Sequence, residues 1–511
     1  MRRNRSGVGT FEKRLLVGGT VAAIFCVVVI ARLFQVQVVE AKPYRERAKQ
    51  QQERRLEVPA KRGDVLDRGG NPLAFTMPAD RRGTRPAERM YPQGQLAAQV
   101  LGFCSGDGDG LEGVELAYHR YLGGKPGWRE VGANAHGYRY TLPESATHPP
   151  EDGHSVVLTI DRVAQSVLER ELERCVVDNG ANSATGILMD PRTGDVFAMA
   201  SYPTYEPRRY AESEADARRN RAITDLFEPG STFKAVTAAA CFEEGAAERD
   251  TRIESCKVLE LNGGQMRDKQ DYGWVTVEET LILSVNTATA LMAREIGPDK
   301  LYHYARAFGF GCVTGIDLPG EVSGILRKPA NWSGRSLETI AIGQEVGVTP
   351  LQLACAYSAI ANGGVLVKPR VVRAIRGASG KTVREESAKI VRRVISRETA
   401  RVLTEILQQV VASGTGEAAG IPGISVAGKT GTAQRIDPET GRYDPRRHIA
   451  SFAGFLPAED PRIVGVVVVD RPRGVGYGGQ VAAPAFRRIL AGTLAAGREP
   501  MGRDLVAPAD L

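Results

Sequence analysis

Leu15–Ala31 is a run of 17 uncharged, mostly apolar residues. As a helix rising about 1.5 Å per residue it spans about 26 Å, just enough to cross a bilayer. Arg14 and Arg32 bracket the run and can snorkel to the interfaces. A soluble core helix explains it poorly, because the run stands alone near the N-terminus. A cleaved signal peptide competes, since Val39-Glu40-Ala41 resembles a cleavage site. The run exceeds the usual apolar region of about 7–15 residues, and Arg32 intervenes, so an uncleaved anchor over 15–38 is expected. Basic residues lie on both sides, so charge bias orients it weakly. A short tail (1–14) makes a cytoplasmic N-terminus the simpler arrangement. The expectation is a single-pass protein of the inner or plasma membrane with an extracytoplasmic body.

The chain has 511 residues and a net charge of +7. Residues 1–62 hold 14 Lys/Arg and 5 Asp/Glu, a net +9, which leaves the other 449 residues at −2. The basic character belongs to the membrane end, so no nucleic-acid-binding surface is indicated. Seven cysteines show no C-x-x-C pair, and six histidines show no H-E-x-x-H. No metal site and no cofactor are expected. Cys241 and Cys256 could pair outside the cell, though spacing alone does not decide it.

Residues 40–57 are polar with helical spacing and suggest a stalk leaving the membrane. Residues 39–150 suggest a membrane-proximal pedestal, 151–498 a larger domain and 499–511 a tail. Ser155–Ile160 reads as a strand, and Asp161 as the N-cap of a helix to about Val177. Gly186–Asp190 and Asp195–Ser201 read as one hairpin, Ala450–Leu456 and Arg462–Asp470 as another. Helical spacing marks 231–244, 278–296, 350–362, 398–412 and 482–496. Paired strands at both ends with helices between predict an α+β domain built on an antiparallel sheet.

Three short elements carry candidate chemistry. Pro229-Gly230 breaks the chain before Ser231-Thr232-Phe233-Lys234, so a helix opening there puts Ser231 and Lys234 on one face at i, i+3. Burial and a second cation would depress the lysine pKa enough for it to take the serine proton. Ser284-Val285-Asn286, in a helical stretch, offers a hydroxyl and an amide two residues apart. Lys429-Thr430-Gly431-Thr432 follows a short predicted strand, Ile424–Ala427. A lysine there can hold a carboxylate while the strand edge bonds a peptide. Alone, each is an ordinary surface helix or turn. In the order S-x-x-K, S-x-N, K-T-G, 53 and 145 positions apart, they are far more specific.

On these residues the chain resembles the class B penicillin-binding proteins, monofunctional D,D-transpeptidases. Further matches are Arg62-Gly63 to Leu73-Ala74 (a pedestal motif), Asn220-Arg221-Ala222, Ile342-Gly343-Gln344 to Gln352, Ser451 to Phe455, and Tyr477-Gly478-Gly479 to Pro484. S-x-N in place of S-x-D resembles the division or sporulation branch. Only 17 positions separate Ala74 from Tyr91, where a longer pedestal head is usual in the family. The resemblance implies that Ser231 attacks the carbonyl between the last two D-alanines of a peptidoglycan stem peptide. Lys234 would act as base, Ser284 as proton relay and Asn286 as positioning group. Lys429, Thr430, Gly431 and Thr432 would bind the substrate, with the Ser231 and Thr432 N–H groups as oxyanion hole. It also implies covalent inhibition by β-lactams and a partnership with a lipid-II-polymerising membrane glycosyltransferase and other division proteins. Carboxypeptidase side activity is compatible with the same residues.

Two rival readings are testable by structure or chemistry. Gly423 to Thr430 fits the nucleotide-binding pattern G-x-x-x-x-G-K-[ST], which demands a strand before and a helix after. Turn-like residues precede it and Gly431, Pro438 and Gly441 follow, so the context opposes this reading. A non-catalytic membrane scaffold or β-lactam sensor of the same fold is the other.

Overall fold

The computed structural model describes residues 8–78, 87–133, 139–141, 146–436, 443–474 and 476–496. The expected tail 499–511 lies outside the described residues, as do residues 1–7 of the N-terminal one. The chain divides into two compact units, Met1–Ala60 with Lys125–Glu151, and Lys61–Gly124 with Asp152–Leu511. The stretch 39–150 therefore falls partly in each.

In the first unit, helix α1 (Val8–Phe34) continues through a π-helical turn, Gln35–Val39. Over Gly9–Val39 it is long and apolar enough to cross a membrane, and none of that apolar surface is buried in the protein. The helix Ala41–Gln52 follows, but Glu53–Val58 is a strand where a helical stalk through residue 57 was expected. It pairs antiparallel with Gly127–Ala133, and Arg55 lies 4.2 Å over the Trp128 ring. Cross-strand partners some 75 residues away in sequence override the local helical spacing.

The second unit is built on a five-stranded antiparallel sheet. Its strands are β1 (Ser183–Met189), β2 (Val196–Tyr202), β3 (Ala427–Ile436), β4 (Tyr443–Leu456) and β5 (Ile463–Asp470), in the order β2-β1-β5-β4-β3. Both predicted hairpins are present. Side chains alternate across the sheet. Val464, Val466 and Val468 join one hydrophobic cluster, while Ile463, Val467 and Val469 join a second. Both faces are covered, which is why β5 reads as a continuous apolar run.

Helices α2 (Arg162–Asn179) and α7 (Gly478–Ala495) contribute to the second cluster. Asp161 caps α2 by accepting from the N–H groups of Val163 and Ala164. On the other side lie α3 (Lys234–Glu243), α4 (Asn286–Ala307), α5 (Pro350–Ala361) and α6 (Arg397–Ser413). Every α3 residue from Lys234 to Cys241 is buried, and its run of alanines allows close packing. All seven cysteines are free, so Cys241 and Cys256 are not bridged.

Residues 61–124 pack with this body. Val65–Leu66 pairs in parallel with Ser155–Leu158, inside a six-stranded sheet. Beside it lies a buried ion cluster. Arg62 donates to Glu115 Oε2 at 2.7–2.8 Å, and Arg89 Nε donates to Oε1 at 2.7 Å. Burial alone would raise the Glu115 pKa, but Arg89 and Arg62 hold it below the usual carboxylate range. Substituting Glu115→Gln leaves two guanidiniums buried without their counter-charge. It should cost about 3–5 kcal/mol, read as a fall in the denaturant midpoint of the full chain.

Candidate active site

Pro229-Gly230 and the first residues of α3 are fixed by backbone contacts from two sides. Phe227 exchanges backbone hydrogen bonds with Val348 at 2.9–3.0 Å, and Gly230 N–H donates to Gly343 O at 3.0 Å. Gly230 has φ +55°, and a Cβ there would lie 2.8 Å from Thr432 O. A Cβ on Gly431 would lie 2.7 Å from Pro229 O and 2.3 Å from Ser451 Oγ. Glycine at both positions lets the serine turn and β3 touch backbone to backbone. This contact brings Ser231 and Thr432 together although 201 positions separate them.

Gly230–Phe233 forms a 3₁₀ turn, and the α-helix begins only at Lys234. In a 3₁₀ turn, i and i+3 eclipse, so Ser231 and Lys234 share one side. Tyr357 on α5 donates to Thr232 O at 3.0 Å and pins the turn from below. Ser231 is half-buried, whereas Lys234 is 0% exposed. Lys234 Nζ donates to Ser284 O and Asn286 Oδ1, both at 2.7 Å, and lies 3.4 Å from Ser284 Oγ. Burial pulls its pKa down to about 7, with Asp268 opposing.

Ser284-Val285-Asn286 does not sit within a continuous helix, as its spacing had suggested. One helix, Val277–Ile282, ends at Leu283, and α4 begins at Asn286. Ser284 sits between them at φ +61°. Such backbone costs a non-glycine residue about 1–3 kcal/mol and turns both its carbonyl and hydroxyl toward Lys234. Asp268 secures the break by accepting from Asn286 N–H at 2.7 Å and Thr287 N–H at 2.9 Å. Asn286 Nδ2 donates to Arg267 O at 3.1 Å, so its Oδ1 is left for the lysine.

Lys429 to Thr432 lie inside β3 instead of after a strand. With β3 continuing to Ile436 and no helix following Thr430, the nucleotide-loop reading is ruled out. Lys429 is 0% exposed and donates to Thr415 Oγ1 at 3.2 Å, an oxygen shared with Thr430 Oγ1 at 3.0 Å. Burial, and then the neighbouring Lys234, depress its pKa well below the ordinary value. Gly478 N–H donates to Thr432 Oγ1 at 3.1 Å, tying α7 to the strand. All eight residues singled out in the sequence thus fall in one neighbourhood. Asp268, Thr415 and Tyr357 were missed. They belong to no short motif and act through side-chain or hydroxyl contacts from distant segments.

A hydroxyl one turn from a buried, easily deprotonated amine, beside the edge strand β3 and a second buried amine, is an arrangement suited to serine acyl transfer. The Penicillin binding protein transpeptidase domain model matches residues 184–491. Stage V sporulation protein D of Bacillus subtilis is 37% identical over 427 residues, 81% of this chain and 65% of that protein. Peptidoglycan D,D-transpeptidase FtsI of Escherichia coli is 34% identical over 409 residues, 80% of this chain and 67% of that one. The crystal structure of penicillin binding protein 3 of Mycobacterium tuberculosis complexed with aztreonam superposes with a TM-score of 0.79 at 33% identity. It covers 89% of this chain and 100% of that one. The match thus spans about two thirds of the curated relatives' own length. The chain belongs to the penicillin-binding protein family, class B, of the division or sporulation type. With helix α1 it is membrane-anchored.

The two buried amines make a prediction. In the unfolded chain Lys429 keeps its proton up to about pH 10.4, whereas in the fold burial favours the neutral form. The unfolded state therefore binds more protons, and the penalty grows as pH falls below that value. Lys429→Met should raise Tm at pH 7, and the gain should shrink as pH approaches 10. A constant gain across that range would contradict this assignment.

Proposed function

We propose that the protein is a peptidoglycan D,D-transpeptidase with Ser231 as nucleophile and Lys234 as general base. The observation that carries this is the Lys234 amine, fully buried, held by Ser284 O and Asn286 Oδ1, and lowered to about 7. A base with that pKa is deprotonated in a large fraction of molecules near neutral pH. Ser231 Oγ attacks the carbonyl of the penultimate D-alanine while its proton passes to Lys234 Nζ. The C–N bond to the terminal D-alanine then breaks, and that amine takes a proton through Ser284 Oγ. An amine of a neighbouring stem attacks the ester carbonyl, the C–Oγ bond breaks, and a cross-link forms. The acceptor's proton returns by the same route to Ser231.

The serine turn and β3 approach closely where Gly230 faces Thr432 and Gly431 faces Pro229, and the N–H groups of Ser231 and Thr432 would suit the developing oxyanion. Lys429, Thr430 and Thr432 would receive the terminal carboxylate, with Gly431 keeping the strand close to the serine turn. β-Lactams would acylate the same serine. The relatives' names support this reading: FtsI is a peptidoglycan D,D-transpeptidase, and the Mycobacterium tuberculosis protein binds aztreonam and ampicillin.

The N-terminus would lie in the cytoplasm and the catalytic body outside, where the substrate is. Residues 39–150 would serve as a pedestal with a shortened head, docking a lipid-II-polymerising membrane glycosyltransferase and other division proteins. Fluorescent penicillin should label the wild type covalently, and Ser231→Ala should abolish labelling without lowering Tm by more than a degree or two. Persistent labelling of Ser231→Ala would move the nucleophile elsewhere. No labelling of folded wild type would favour the scaffold reading.

A further inference from the structure

Tyr477, the first residue of the Tyr477-Gly478-Gly479 motif, takes no part in the acylation chemistry. It immediately precedes α7, and the N–H of the next residue, Gly478, donates to Thr432 Oγ1 on β3. Tyr477 therefore flanks the strand wall of the site, and it is 49% exposed. Lys269 Nζ lies 4.9 Å from the centre of its ring. Lys269 belongs to the opposite wall. It follows Asp268, whose carboxylate accepts from Asn286 N–H and Thr287 N–H at the start of α4. The cation–π contact thus joins a neighbour of Thr432 to a neighbour of the Ser284–Asn286 break, and it spans the groove from one wall to the other.

The ammonium at this rim is left for a ligand. The acidic residues of its own loop turn to backbone N–H groups: Asp268 to Asn286 and Thr287, and Asp271 Oδ1 to Gly273 at 3.0 Å. Among the described residues the Lys269 side chain forms no ion pair or hydrogen bond, and it rests on Tyr477 alone. An exposed cation–π contact is a weak tie. A carboxylate brought by a ligand can replace it with charge-assisted hydrogen bonds.

The direction of the substrate says which carboxylate this is. In the proposed reaction the terminal carboxylate is received from Lys429 onward, and the reacting carbonyl lies at Thr432 N–H. The peptide before the D-alanines then continues past Thr432, the end of the site that Tyr477 flanks. We propose that Lys269 is a specificity-determining residue: its ammonium leaves the Tyr477 ring and pairs with a side-chain carboxylate on the stem residue that precedes the D-alanines. This assignment rests on the transpeptidase reading of the site.

The test uses the full chain in detergent and two probes. One is 6-aminopenicillanic acid acylated through the α-carboxyl of N-acetyl-L-2-aminoadipate, and the other is the same compound with its side-chain carboxylate converted to the carboxamide. In both, the β-lactam nucleus stands in for the two D-alanines, and the aminoadipyl side chain for that of the preceding residue. Acylation rate constants are read by competition with fluorescent penicillin. The carboxylate probe should react about threefold faster or more in wild type, and the ratio should shrink as salt is raised. In Lys269→Met the ratio should fall to near one, and in Lys269→Arg it should persist, with melting curves confirming that both variants fold. A merely structural role for Lys269 would slow both probes alike and leave the ratio unmoved. A wild-type ratio below about threefold, or an undiminished ratio in folded Lys269→Met, would overturn the proposal. Wild type that fluorescent penicillin fails to label would instead sink the Ser231 reading, and this proposal with it.

Discussion

Withdrawal of the Lys234 amine from water is the constraint on which the site depends. A protonated ammonium is strongly hydrated, and α3 carries this one into the main core among alanines. Two acceptors at 2.7 Å are what the protein returns for that lost hydration. The remaining cost is expressed as basicity: the amine holds its proton weakly, so it can accept one from a serine. The second amine, Lys429, is buried nearby, and there burial and then the Lys234 charge both disfavour the protonated form.

The rest of the unit can be understood as what holds this arrangement rigid. Strand β3, the serine turn and the start of α7 approach more closely than side chains would permit, through Gly230 and Gly431. Ser284 accepts an unfavourable backbone conformation, and Asp268, next to Arg267, locks the helix start that follows it. Sheet and helices bury hydrophobic residues on both faces, giving the free energy to tolerate such local costs. Stability and chemistry are in tension here, as expected for an active site.

The sequence made legible what depends on short-range pattern. Asp161 caps its helix, and the two hairpins pair, because turn residues and alternation are local signals. Ser231, Lys234, Ser284, Asn286 and the Lys429–Thr432 run were legible as an ordered set, and the fold gathers them. What was not legible depends on distant partners. Glu53–Val58 has helical spacing but is a strand because Gly127–Ala133 pairs with it. The break at Ser284 lies inside a pattern that looks helical, and only Asp268, 16 positions earlier, reveals why the helix restarts at Asn286. Thr415 sits in a turn-rich stretch and gains meaning only from the two residues of β3 that reach it.

The central claim is that Lys234 is a base tuned by its neighbours, and the most direct test is the pH dependence of Ser231 acylation by penicillin. In wild type the second-order rate constant should rise with pH and level off above a midpoint near 7, because the neutral amine is the active form. Asn286→Asp places a carboxylate where Oδ1 now accepts from Nζ, favouring the protonated amine. The midpoint should move up by about one unit or more. A profile that is flat from pH 6 to 9 in wild type, or a midpoint unmoved in Asn286→Asp, would contradict the account.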